Sequence, residues 1–376
     1  MEKLRKAFEK DTSIDVLSSA MAVVIGLLVG FIIMLISNPS HAAGGFRAIL
    51  RGGFADMRSM GQSLYLATPI IMTGLSVGFA ARTGMFNIGA SGQFIVGAYA
   101  AILVSVKCAP FLPGITLCIA ALIAAMAAGA VWGGISGMLK AYCNVNEVIA
   151  CIMMNYIGMY LVNFMIVRTV YDSLTNQSTR VPANANLPKM GLDQIFRDGN
   201  SASSVNSGIF VAILMAVVIY IILERTSFGF ELKACGFNRD AARYAGINEH
   251  RSIVYSMVIA GALAGLGGAL LYLAGAGNRI DVVDVLAAEG FNGIPVALLG
   301  LNNPIGIIFS GFLIAYLTIG GFNMQLYAFA PQVIEIIIAI IIYFSAFALL
   351  VKNLIQSRRA RRPKTPAADA AEEGAS

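Results

Sequence analysis

The run from Val16 to Ser37, VLSSAMAVVIGLLVGFIIMLIS, holds no charged residue. It is longer than the ~20 apolar residues that cross a bilayer core. Inside hydrocarbon every backbone N–H and C=O must find a partner within the protein, so such a run has to be helical. The rest of the chain repeats the pattern. Spans are expected at Val16–Ser37, Leu64–Ala81, Ile88–Val106, Ile115–Leu139, Val145–Val167, Ile209–Leu223, Ile253–Ala274, Val285–Leu301, Ile305–Gly321 and Val333–Val351. Of the 376 residues 58% are hydrophobic and 12% charged; soluble domains carry about 25% charged residues. The expected fold is therefore an all-α polytopic membrane protein with about ten spans. The first run is too long for a signal peptide and no small-residue cleavage site follows it, so it is expected to be retained.

Lysine and arginine set the orientation. The N-terminal MEKLRKAFEK and the tail KNLIQSRRARRPK are both basic, which places both termini in the cytoplasm and requires an even number of spans. Residues 1–15 then form a cytoplasmic N-terminus, 16–351 the membrane domain, and 352–376 a tail that is basic at first and disordered beyond it. Arg168 to Ser207 falls outside. Arg47, Arg51 and Arg58 depart from this scheme by lying in the first external loop. The glycine pairs Gly44–Gly45 and Gly52–Gly53 mark that loop as an interfacial segment. Because the basic residues gather at membrane flanks, the net charge of +6 gives no argument for nucleic acid.

No internal engine is visible. The chain lacks a GxxxxGK[ST] phosphate loop, a nucleophile elbow and an HExxH helix, so no catalytic residues are assigned. Five cysteines without paired spacing, and His41 far from His250, argue against a metal site or disulfide framework. Glu289 and Glu335 open spans and so fit the helix dipole. None of the acids sits mid-span beside a base, which disfavours an ion-coupled carrier.

Neutral polar groups are more informative. Asn144, Glu147, Cys151, Asn155 and Gly158 fall within an arc of about 80° on one helix. Such a stripe either bonds to neighbouring helices or lines a water-filled path. In RTGMFNIGASGQ (82–93), Gly84, Gly89 and Gly92 weaken the helix while Asn87, Ser91 and Gln93 offer hydrogen bonds at membrane depth. Irregular backbone is tolerated there only when buried in protein or lining a cavity. Again both readings stand. Gly129, Gly133 and Gly137, with Gly261 and Gly265, have the small-xxx-small spacing that lets helices approach closely.

One charged island, Glu224 to Arg251, interrupts the apolar pattern after six spans and is therefore cytoplasmic. Within it Asn238 is a good N-cap, Asp240 suits the first turn and Gly246 sits where a left-handed C-cap belongs. Arg239 to Ala245 supplies about two turns, with Ala241, Ala242 and Ala245 small enough to enter a partner's groove.

Four segments, Thr68–Gln93, Asn146–Ile157 (NEVIACIMMNYI), Lys233–Ile247 (KACGFNRDAARYAGI) and Glu289–Gly300 (EGFNGIPVALLG), resemble permease subunits of bacterial ABC importers, in the branch that serves nucleoside uptake and is related to ribose and other sugar permeases. The resemblance covers roughly residues 60–350. It implies a multi-pass protein of the bacterial plasma membrane that binds no cofactor itself and relies on ATP hydrolysed by a separate cytoplasmic ATPase subunit. The block Gly236–Gly246 corresponds to a coupling helix, with Gly236, Asn238, Ala241, Ala242, Tyr244 and Gly246 as contact residues. A second permease subunit and an extracytoplasmic solute-binding lipoprotein are the other implied partners. Candidates for the translocation path are Asn87, Ser91, Gln93, Glu147, Asn155 and Asn292. The chain departs from the family's usual pattern at Ser91 and Asn292, where acids are common, and at Pro295. The alternatives are a permease for ribose or another simple sugar, and an ion-coupled carrier.

Overall fold

A computed structural model describes residues 2–199, 201–330 and 332–344. Among the described residues eight helices are long and apolar enough to cross a membrane. In chain order the elements begin with α1 (Glu2–Ser37), α2 (Pro39–Gly52), α3 (Met57–Arg82), α4 (Ala90–Lys107), α5 (Gly114–Cys143) and α6 (Glu147–Thr169). A surface segment follows with β1 (Tyr171–Asp172) paired to β2 (Gln177–Ser178), the short α7 (Leu192–Ile195), and β3 (Arg197–Asp198) paired to β4 (Ser201–Ala202). Then come α8 (Gly208–Arg225), α9 (Ser227–Phe237), α10 (Arg239–Tyr244), α11 (Glu249–Tyr272), α12 (Ala288–Phe291), α13 (Gly293–Leu299), α14 (Pro304–Met324) and α15 (Gln332–Phe344). The end of the last expected span and the basic tail, 352–376, lie outside the described residues.

The expected span Val285–Leu301 is not one helix. Residues up to Ala287 are non-helical, and α12 and α13 are two short pieces broken at Asn292. Gly290, Asn292, Gly293 and Pro295 weaken the helix here despite its apolar average. The two glycines also bring the pieces against other backbones: Gly290 lies on Ser91 of α4, and Gly293 on Thr73 of α3. The external loop expected to be interfacial folds as α2. It packs on α14, where Tyr316 donates its hydroxyl to the Leu50 carbonyl, and leaves Arg47 and Arg51 exposed.

Burial orders the bundle. α3 and α11 lie at its centre, with 83% and 72% of their span windows buried, whereas α1 has only 22% buried. The small-residue spacing has its physical outcome in the α5–α11 pair, where Gly129 and Gly261 lie backbone to backbone. Their missing side chains are what lets the helices touch.

Two ends can be recognised from long-range bonds. At one end Arg82 Nε donates to the Asn302 carbonyl at 3.2 Å, His250 Nδ1 lies 2.6 Å from the Ala141 carbonyl, and α9 meets the end of α3. At the other end Ser178 N donates to the Ile280 carbonyl at 2.9 Å, and Leu187 N to the Leu273 carbonyl at 2.8 Å. Arg279 pairs with Asp172 there at 2.9 Å. The stretch from Ile280 to Asn302 therefore runs from one end of the bundle to the other, although it contains no span-length helix.

Candidate functional site

At the first end, α10 forms where the island's local signals place it. Asn238 accepts the Ala241 N–H on its side-chain oxygen at 3.0 Å, satisfying a free donor of the first turn. Gly246 adopts φ 84° past the C-terminus. The Ile247 N–H then reaches back to the Ala242 carbonyl and the Gly246 N–H to the Arg243 carbonyl, both at 3.0 Å. This pair of bonds closes the helix end, and the left-handed residue it needs is readily supplied by glycine. Asn248 caps α11 in the same way, accepting the Arg251 N–H at 3.1 Å.

The island's residues divide by what they touch. Ala242 faces inward and is buried, as are Leu232 and Cys235 of α9, and burial pushes the Cys235 thiol up from its ordinary pKa. Phe237 and Tyr244 are 90% and 95% exposed. Asn238, Ala241 and Gly246 are also exposed. Gly236 bears on the turn after α3: a methyl group placed there would come within 2.5 Å of the Thr83 carbonyl carbon and 2.6 Å of the Gly84 nitrogen. Gly84 itself has φ 75°. Two glycines thus bring backbone against backbone between the island and the α3–α4 turn.

That turn leads into the protein's interior. The chain leaves α3 at Arg82 and climbs back beside it until Asn87 reaches Ser76, donating from Nδ2 to its hydroxyl at 2.9 Å. Ser76 donates in turn to the Ala260 carbonyl on α11 at 2.6 Å. Asn87 and Gln93 exchange two amide bonds of 2.8 and 3.0 Å. Helix α4 starts there, within the bundle, and Gly89 at its N-cap offers no side chain. Its first turn is capped from another helix: Asn155 of α6 accepts the Gly92 N–H at 2.8 Å and donates to the Ile88 carbonyl at 3.0 Å. Ser91 donates to the Ala287 carbonyl at 2.8 Å. Asn87, Ser91, Gln93 and Asn155 are all at most 1% exposed. The structure brings these four together as one satisfied interhelical network, the kind that low polarity strengthens.

Glu147 lies elsewhere, at the α5–α6 corner. Asn144, at φ 50°, ends α5, and Asn146 caps α6 by accepting the Val148 N–H at 2.9 Å. Glu147 pairs with Lys140 at 2.9 Å across this corner. Asn292 is exposed at the break between α12 and α13. Sequence reading passed over three residues: Ser76, which anchors the network, Phe237, and Gly84 as the partner of Gly236. Serine in a span is too common to single out. A large aromatic beside the Asn238 cap was the available signal for Phe237.

Known proteins place this architecture. Residues 59–346 match the family described as branched-chain amino acid transport system / permease component. The chain belongs to this permease family. Its members are membrane components of transporters, and the eight candidate spans fit a multi-pass protein of the plasma membrane. The chain is similar to the guanosine ABC transporter permease NupP of Bacillus subtilis, 40% identical over 88% of this chain and 93% of that protein. It is 35% identical to the nucleoside ABC transporter permease NupB of Lactococcus lactis, over 92% of this chain and 94% of that one. The glucose ABC transporter permease TsgB13 of Haloferax volcanii is 33% identical over 75% and 74%. No solved structure matches the chain.

Proposed function

We propose that this permease is the membrane-spanning subunit of an ATP-driven nucleoside importer. The observation that carries the reading is the near full-length similarity to two permeases named for guanosine and nucleosides. Energy enters through the exposed face of α9 and α10. A cytoplasmic ATPase subunit docks on Phe237, Ala241 and Tyr244, with Asn238 and Gly246 holding the helix ends, Ala242 fixing α10 to the bundle and Gly236 passing displacement to the α3–α4 turn. ATP is hydrolysed by that partner and not by this chain. A second permease subunit and an extracytoplasmic solute-binding lipoprotein complete the assembly.

The crossing count supports ten passes with both termini in the cytosol. Eight spans, the Ile280–Asn302 segment that joins the two ends, and α15 make up that number. Glu147 and Lys140 then lie on the cytosolic side and the β1–β2 segment faces outward. The buried amides Asn87, Gln93 and Asn155 with Ser91 act by holding the start of α4 in place beside the path, whereas Asn292 is free to meet solute. Similarity to a glucose permease favours a simple sugar as the second reading.

Reconstitution into vesicles with the ATPase, the second permease and the binding protein tests this. ATP-dependent uptake of guanosine is expected, and Phe237→Ala with Tyr244→Ala should cut it at least tenfold while the complex still hydrolyses ATP. Uptake of glucose or ribose without nucleosides would replace the solute. Uptake by the chain alone under an ion gradient would overturn the importer reading.

A further inference from the structure

Tyrosine in a membrane span normally sits at headgroup level, where its hydroxyl finds water. Tyr156 and Tyr160 do not. They straddle Gly158, the midpoint of the 23-residue α6, and are 47% and 55% exposed. Neither hydroxyl has a hydrogen-bond partner among the described residues. Other tyrosines of the spans either bond within the protein or lie near a helix end: Tyr65 accepts from Asn278 at 2.7 Å, Tyr99 meets Thr169 at 3.0 Å and Tyr316 bonds to Leu50, while Tyr220, Tyr255 and Tyr272 sit within two turns of an end of α8 or α11. The exposed neighbours of these rings on α6, among them Ile149, Met153, Ile157 and Phe164, are apolar, and the outward faces of α1 and α8 differ in carrying no such hydroxyl. α1 presents Met21, Val24, Leu28 and Ile32, and α8 presents Phe210, Ile213, Leu214, Val217 and Ile221, all hydrocarbon. Two unpartnered hydroxyls at mid-depth are costly in lipid, so the α6 face belongs against something polar.

A second exposed polar group lies at the same level. Asn155 holds the Gly92 N–H, which sets Tyr156 at the level of the first turn of α4, about 100° around α6 from that contact. Gly290 of α12 rests on Ser91 of that same turn, and exposed Asn292 follows two residues later. The first turn of α4 is therefore flanked by α6 with its tyrosines and by α12 with its amide. At the outer end of the same α6 face, Asn163 donates to the Val283 carbonyl at 2.9 Å.

We infer that the Tyr156–Tyr160 face of α6, with Asn292 at the same level, lines the solute path and receives the flat base of a nucleoside by ring stacking. The inference rests on the nucleoside-importer reading. Side chains four apart on a helix are neighbours, with Cβ atoms about 5–6 Å apart, so one base can meet both rings. The hydroxyls and the Asn292 amide remain in the water that accompanies the solute. The face that sequence periodicity marked as polar, with Asn155, turns inward to hold α4; the transport surface is its aromatic opposite.

The test is uptake of labelled guanosine by the full complex in vesicles, comparing wild type with Tyr156→Leu/Tyr160→Leu and Tyr156→Phe/Tyr160→Phe. Leucine keeps the surface apolar but removes the rings; phenylalanine keeps the rings. Stacking on aromatic side chains is strong enough that the leucine pair should raise the half-saturating guanosine concentration roughly tenfold or more. The phenylalanine pair should stay near wild type, and subunit assembly and basal ATP hydrolysis should be unchanged in both. Unaltered half-saturation in the leucine pair would show a lipid-facing surface and overturn the inference. Loss of subunit assembly in that pair would make the face a protein interface and overturn it too. A wild-type complex that moves no guanosine refutes the nucleoside reading itself, and this inference falls with it.

Discussion

Replacing Asn155 by leucine removes the amide that caps α4 from across the helix interface. Leucine has the same branched heavy-atom skeleton with bulkier methyl ends, so no cavity opens and the polar loss dominates. Two backbone groups lose their partner together: the Gly92 N–H, bonded at 2.8 Å, and the Ile88 carbonyl, bonded at 3.0 Å. A buried polar group left unsatisfied costs about 1–3 kcal/mol, while interhelical hydrogen bonds measured in membranes are worth roughly 0.6–2 kcal/mol. Two losses at the overlap of these ranges give a destabilisation of about 2–4 kcal/mol. Detergent-denaturant unfolding of the purified chain measures it. Hydrogen exchange localises it, because amides 88–93 should lose protection while those of α8 keep theirs. A change under about 0.5 kcal/mol, or unchanged protection at Gly92, would refute the view that Asn155 holds the start of α4.

Further outcomes follow from the same geometry. Gly129→Leu should push α5 off α11, since the new side chain points into the Gly261 backbone; a loss of about 3 kcal/mol or failure to accumulate in the membrane is expected, read by the same unfolding assay. Gly246→Ala meets no neighbour but must hold φ 84°, so it should weaken the α10 end by about 1–2 kcal/mol, visible as faster exchange at Ile247. Asp172 is held below the ordinary carboxylate pKa first by the Leu174 N–H, then by Thr175 and Arg279. Its contribution is complete above the unfolded value of about 3.9 and is lost as pH falls through the lower folded value. Protease cleavage within 171–178 should therefore rise only in strong acid, and Asp172→Asn should abolish that dependence.

Local chemistry was the most legible part of the sequence. Asn238 and Gly246 delimit α10 by bonds that span at most five residues, so neighbouring letters contain the whole cause. The faces of α6 were also legible, because helical geometry alone sorts Asn155 and Gly158 from Tyr156 and Tyr160. What each face meets was not, since that depends on α4 starting inside the bundle, a product of contacts between Asn87 and Ser76 and between Gly290 and Ser91. Val285–Leu301 misled for a related reason: its average apolarity reports partial burial, and a broken segment whose second half packs into the bundle is as apolar as a span. Arg47 and Arg51, at odds with the charge rule, signalled an irregularity in the first loop without revealing that α2 packs on α14.

The meeting of Gly84 and Gly236 bears on timing and force. Side chains ordinarily act as springs between elements, because rotamers can hop and absorb a displacement of an ångström or so. Here peptide planes touch directly, and there is no such slack. A shift of α9 must move the α3–α4 turn at once or break the contact, which makes the joint behave as a gear tooth without backlash. The contact is also symmetric: a displacement of the α3–α4 turn, which leads into the start of α4, bears on α9 through the same two backbones.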